Sequence, residues 1–151
     1  MLATKILAQD HREALDLMTQ LEGVRNDLTS HKRTFEQLKS ALMLHMREEE
    51  EIFYPALAQH EEFSDLLEYS IPEHEAVKEN LAQMSELDPG DDEFQSLLTE
   101  MKAAVELHAT NEEEDVFPDA EEVLGLDMIN AIGTRIDKMK AEAGMTRSAS
   151  M

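Results

Sequence analysis

His45-Met46-Arg47-Glu48-Glu49-Glu50-Glu51-Ile52-Phe53-Tyr54-Pro55 sets a histidine and a carboxylate four residues apart, ahead of an apolar pair and a proline. Four residues is about one helical turn, so on a helix His45 and Glu49 project from one face, ~6 Å apart along the axis. Alone the pairing means little, because such pairs stand on many solvated helices. This chain carries it twice. His108-Ala109-Thr110-Asn111-Glu112-Glu113-Glu114-Asp115-Val116-Phe117-Pro118 repeats the first stretch without a gap. The offset is 63 residues (108 − 45), and His11, preceded by Asp10, keeps the same offset to His74, preceded by Glu73. Each half therefore reads acidic residue and His, then, 34 residues on (45 − 11, and 108 − 74), His-x-x-x-Glu. An internal repeat of this kind bears on the whole architecture and is weighed before single residues.

Apolar residues recur at helical spacing around these motifs. A first helix is expected from about Thr4 to Asp27, with Leu7, His11, Ala14, Leu15, Met18 and Leu21 on its inner stripe. A second, capped by Thr29 or Ser30, should run from His31 to Phe53 until Pro55 breaks or kinks it. Its stripe is Phe35, Leu38, Leu42, His45, Glu49 and Ile52. Ala56 to Tyr69 reads as a short helical segment, and Pro72 as the bend or the opening of a helix carrying His74, Val77, Leu81 and Met84. Asp88-Pro89-Gly90-Asp91-Asp92 is a loop. A fourth helix, Glu93 to Asp115, carries Leu97, Met101, Ala104, Val105, His108 and Glu112. Leu126, Ile129, Ile132, Ile136 and Met139 mark a fifth, interrupted at Gly133.

The fold class that follows is all-α: an antiparallel up-down-up-down four-helix bundle with an internal two-fold repeat, plus a C-terminal helix. One domain is expected over residues 1–143, with repeat halves at about 4–59 and 67–118, the C-terminal helix at about 119–143, and a flexible tail at 144–151.

Composition narrows the function. A formal charge of −21, from 34 acidic against 13 basic residues, disfavours nucleic acid or an anionic membrane as partner. With no cysteine there is no disulfide frame, thiolate metal site or cysteine nucleophile. No apolar run approaches the ~20 residues that span a bilayer. The stretch Met1 to Leu7 meets Asp10 and His11 too soon for a signal peptide, so a cytoplasmic protein is expected.

Glu49 is the anomaly, a carboxylate on an apolar stripe. Burying it unpaired costs several kcal/mol, so it needs a partner, and a cation serves. The equal separations within each half put the motifs at one level, where His11, His45, His74 and His108 converge with Glu49 and Glu112 a turn away. Imidazole and carboxylate donors suit a pair of divalent first-row ions such as Fe, Mn or Zn, and offer nothing soft for Cu(I). Two His per ion with both Glu bridging leaves positions open for O₂, peroxide, NO or water. His31, ~21 Å along the helix from His45, reads as a surface or capping residue. His60 is expected to be exposed, and Glu48, Glu50, Glu51, Glu114 and Asp115 to face solvent, while Tyr69, like Tyr54, is a minor candidate to ligate or support the metal. Tyr54 falls about 180° from His45 on an unbroken helix, unless a kink swings it inward as a reserve ligand.

Asp10-His11, His45-x-x-x-Glu49, Glu73-His74 and His108-x-x-x-Glu112, with Ile52-Phe53-Tyr54-Pro55 and Val116-Phe117-Pro118 behind the carboxylates, resemble the hemerythrin-like (HHE cation-binding) family from about Leu2 to Pro118. The resemblance implies a bundle holding two Fe ions in a non-haem centre bridged by two carboxylates and an oxo or hydroxo group. Family members bind O₂ reversibly, sense O₂ or iron, or handle peroxide and NO. The family's O₂ carriers have a further histidine where Ser70 stands here, which leaves one iron a ligand short or served by Glu48, Glu73, a tyrosine or water. The carriers also place the second carboxylate where Glu113 stands, whereas the internal repeat and Pro118 favour Glu112; Glu113 is the reserve. The family's iron-sulfur-repair branch uses a cysteine-bearing extra domain that this chain lacks. The function expected is binding of O₂, peroxide or NO for sensing, storage or detoxification. The alternatives are a di-iron enzyme consuming peroxide or NO, and a metal-free helical interaction module, with Zn or Mn ranked below iron as the metal.

Overall fold

Leucine, alanine, glutamate and methionine favour helix, and in the computed structural model, which describes residues 1–144, every regular element is helical. The elements are α1 (Ala3–Gly23), α2 (Leu28–Glu48), α3 (Tyr54–Leu57), α4 (Ser64–Ser85), α5 (Asp92–Asn111), α6 (Phe117–Leu124) and α7 (Leu126–Glu142). The expected tail beyond Gly144 lies outside the described residues. Asp27, not Thr29 or Ser30, caps α2: its carboxylate accepts from the Ser30 backbone N–H at 3.2 Å and from Ser30 Oγ at 2.9 Å.

Neither Pro55 nor Pro118 ends its helix. A five-residue π turn, Glu49–Phe53, joins α2 to α3, and another, Glu112–Val116, joins α5 to α6. Each closes with a bond from residue i+5, Tyr54 N–H to Glu49 O and Phe117 N–H to Glu112 O. Each proline then falls in the first turn of a fresh α segment, where its missing N–H costs nothing. The wider turn also corrects the direction expected for Tyr54. Holding one residue more than an α turn, it brings Tyr54 back over Glu49 and buries it.

Two further expectations are corrected. α4 runs unbroken through Pro72, whose face is exposed at both Glu68 and Pro72, so water can take the freed carbonyl. Gly133 does not interrupt α7. It is buried inside that helix, and a Cβ there would stand 2.0 Å from the Met1 carbonyl oxygen and 3.0 Å from Ala3 N. Glycine is what lets the start of α1 cross α7.

α1 packs on α2, α5 and α7, and α4 packs on α5 and α2. The apolar residues form two clusters. One gathers Ile6, Leu7, Phe53, Leu57, Phe117, Ile129 and Ile132 at the α7 end. The other gathers Met18, Leu38, Leu81, Phe94, Leu98 and Met101 at the far end. His31 belongs there rather than on the surface: it is 1% exposed, its ring edge-on to Phe94 at 4.7 Å.

Candidate metal centre

Between the two clusters the inner faces turn polar. α1 supplies His11, α2 His45, α4 His74 and α5 His108, while Glu49 and Glu112 each open a π turn. Glu49 and Glu112 are 0% and 1% exposed, and His11, His45 and His74 are buried with them.

Each imidazole donates from Nδ1 to a carboxylate outside the centre. His45 reaches Asp10 Oδ2 at 2.9 Å and His108 reaches Glu73 Oε1 at 3.3 Å. His74 reaches Glu50 Oε2 at 2.7 Å and His11 reaches Glu113 Oε2 at 2.8 Å. Asp10 and Glu73 are repeat partners, as are Glu50 and Glu113. With Nδ1–H so engaged, Nε2 faces inward, where a metal would bind it on displacing any proton it carries, the arrangement that orients histidine as a metal ligand.

The inner distances fit a shared cation. His11 Nε2 lies 3.0 Å from Glu112 Oε1, and His74 Nε2 3.0 Å from Glu49 Oε1. His45 Nε2 is 3.3 Å from Glu49 Oε1, and His108 Nε2 is 3.2 Å from Glu112 Oε1 and 3.5 Å from Glu49 Oε1. Two ligand atoms at neighbouring positions on one ion, each about 2.1 Å from it, are about 3 Å apart. One atom each from His11, Glu49, His108 and Glu112 falls within a common 4.8 Å. His45 Nε2, His108 Nε2 and Glu49 Oε2 are buried without a hydrogen-bond partner. A cation is the one occupant that would satisfy imidazole lone pairs and carboxylates together.

Electrostatics point the same way. Burial alone would lower the His45 and His108 imidazoles, but Glu49, Asp10, Glu112 and Glu73 outweigh it and hold both well above the usual range. Burial alone would raise Glu49, and His45, Glu112 and His108 hold it well below instead. The pocket favours positive charge at its centre.

Tyr54 and Phe117 close one side. The Tyr54 hydroxyl donates to the carboxylate pair, 3.1 Å from Glu49 Oε1 and 3.0 Å from Glu112 Oε2, while its ring stacks on His74 at 5.6 Å. Burial and the two carboxylates push its ionisation far up, so the phenol keeps its proton. Phe117, at the equivalent place, stacks on His11 at 6.0 Å and brings no hydroxyl. Ser70 is buried on this side. A cavity of about 170 Å³ adjoins the four imidazoles, walled by Ala14, Leu42, Met46, Val77 and Val105.

The structure thus brings together His11, His45, Glu49, His74, His108 and Glu112, with Tyr54 against both carboxylates. It leaves Glu113 outside, on His11 Nδ1. Tyr69 is exposed, and His60 is half-buried rather than exposed. Two acidic residues read from sequence as solvent-facing are not so. Glu50 holds His74, and Glu48 is fully buried, 2.9 Å from Lys140 Nζ. Asp10, His45 and Glu48 also gather within 4.8 Å, but Lys140 already supplies the cation to that group.

A bundle of helices whose inner faces turn imidazoles and carboxylates onto a cation-sized space defines a metal-binding helical protein. The sequence matches the hemerythrin HHE cation binding domain over residues 2–120 and again over 71–148, and the chain belongs to that family. No curated protein matches it, and no solved structure does. No helix among the described residues is long and apolar enough to cross a membrane.

Proposed function

We propose that this chain is a non-haem di-iron protein whose centre binds O₂ or a related small ligand, peroxide or NO. His11 and His45 would hold one iron, His74 and His108 the other, with Glu49 and Glu112 as the carboxylates shared between them. The observation that carries this reading is the set of four imidazoles, each tied at Nδ1 to an outer carboxylate and each with Nε2 within 3.0–3.5 Å of Glu49 or Glu112. Ring pairing supports the division, with His11 and His45 centroids 4.9 Å apart and those of His74 and His108 5.4 Å apart. The π turns at Glu49 and Glu112 lie 63 residues apart (112 − 49), which supports an antiparallel up-down-up-down bundle with two-fold repeat, formed as one domain with α7.

A ferrous pair, when bound, would supply electrons to an oxidant. The chain's own part is to present Glu49 and Glu112 to the metal, offer an apolar cavity beside them, and keep a protonated phenol, Tyr54, on the two carboxylates. That apolar cavity suits a small neutral ligand. The test is metal content per chain from iron-supplemented cells, read with the visible spectrum. About two irons with charge-transfer bands between roughly 300 and 400 nm are expected. A colourless zinc protein, or one with no metal, overturns the reading. Peroxide or NO turnover that His45→Ala abolishes would make it an enzyme rather than a binder.

A further inference from the structure

Lys140, on α7, is the one charged residue of that helix buried with the cluster, and nothing in the reading above uses it. Its ammonium lies 2.8 Å from Asp10 Oδ1 and 2.9 Å from Glu48 Oε2, and its side chain is only 10% exposed. Asp10 divides its oxygens, Oδ1 to Lys140 and Oδ2 to His45 Nδ1 at 2.9 Å. We infer that Lys140 is a positioning residue for the candidate centre: it fixes Asp10 on His45 and so makes α7 part of one metal position. The inference rests on the di-iron reading.

The need for a cation arises from the sequence of this half alone. Glu48 is wholly buried beside Asp10 and competes with His45 for it, unless a donor placed between the two holds both, as the Lys140 ammonium does. In the other half the counterpart of Glu48 is Asn111, and the counterpart of Asp10, Glu73, is 41% exposed and stands 3.3 Å from its histidine. Water can solvate Glu73, and no lysine is called for. The two metal positions are therefore unequal by construction. His45 is fixed through a buried Asp10–Lys140–Glu48 cluster, and His108 through a looser, solvated contact. Without Lys140, Asp10 loses the donor on Oδ1 that holds it in place, is free to turn toward Glu48, and His45 loses its orienting acceptor.

The test is anaerobic Co(II) titration of the full chain, followed by visible absorption, for wild type, Lys140→Met and Lys140→Met/Glu48→Gln, with helix content followed by circular dichroism. Loss of an orienting partner weakens metal binding by about 10–100-fold. Lys140→Met is expected to weaken one of two Co(II) equivalents by that factor and leave the other unchanged. The double variant, which replaces the buried carboxyl that competes for Asp10 with an amide able to donate to it, is expected to recover most of the loss. Binding of both equivalents as in wild type overturns the inference alone. Equal weakening of both with no recovery in the double variant reduces Lys140 to a structural role and also overturns it. A wild-type chain that binds no Co(II) overturns the di-iron reading, and this inference with it. If Lys140→Met does not fold, Lys140→Gln is titrated in its place, with the same selective loss expected and unchanged binding fatal.

Discussion

Glu113 and Glu114 are neighbours in an acidic run, yet only one of them has work at the centre. Glu113 accepts the His11 Nδ1 proton at 2.8 Å, while Glu114 is exposed. Glu113→Gln keeps the shape and removes the charge that makes the imidazole a strong donor to metal, so metal affinity should fall by about 10–100-fold. Glu114→Gln should leave it unchanged in the same competition against a chelator. Equal effects would mean that the acidic run acts only through its overall charge. At this scale the sequence was legible where spacing alone decides: His11, His45, Glu49, His74, His108 and Glu112 come together as their intervals require. It was not legible where a partner comes from a distant element. Glu48 reads as one more member of a solvated run because Lys140 lies 92 residues away (140 − 48), and His31 looks polar until Phe94 is brought over it.

The π turns are what an α-periodic reading cannot supply. On an unbroken α-helix Tyr54 would sit some 140° from Glu49 at 100° per residue; the extra residue in the turn returns it to the carboxylate and leaves His45, ahead of the turn, and Glu49, at its start, where periodicity puts them. The five long helices were legible from apolar stripes, and the continuity across Pro55, Pro72 and Pro118 was not, because each proline finds a position that forgives its missing N–H. Gly133 makes the same point for packing. Gly133→Ala, a change that favours an isolated helix, places a methyl group 2.0 Å from the Met1 carbonyl. It should cost about 1–3 kcal/mol, as overpacking does, measured by chemical denaturation. A stabilised variant would mean that the first residues move aside freely.

Over the whole molecule, protons and metal compete for one site, and their pH signatures run in opposite directions. With metal chelated, His45 and His108 keep protons that the unfolded chain loses above its ordinary value of 6.5. Glu48, raised by burial and by the neighbouring Asp10 carboxylate from 4.5 to about 8, does likewise. The folded state then binds more protons than the unfolded one, so stability falls as pH rises. Asp10 and Glu49, held below their ordinary values of 3.8 and 4.5, act oppositely and lose their contribution only as pH drops below those values. The Tm of chelated protein should therefore decline from about pH 6 to 9. Metal must displace those protons, so the rise in Tm on adding metal should grow across the same range. A metal increment that shrinks with pH would contradict the assigned ligands.

The polar layer also parts the hydrophobic interior in two, with Leu57 and Ile132 on one side and Leu81, Phe94 and Met101 on the other. Apolar side chains cooperate by touching, and across this layer contact is made largely through imidazoles and carboxylates. In native-state hydrogen exchange the chelated chain should open as two units of separate stability, and metal should merge them into one. Bound metal would then act as the rivet between two half-cores, and its loss would be felt first as lost cooperativity rather than lost helix.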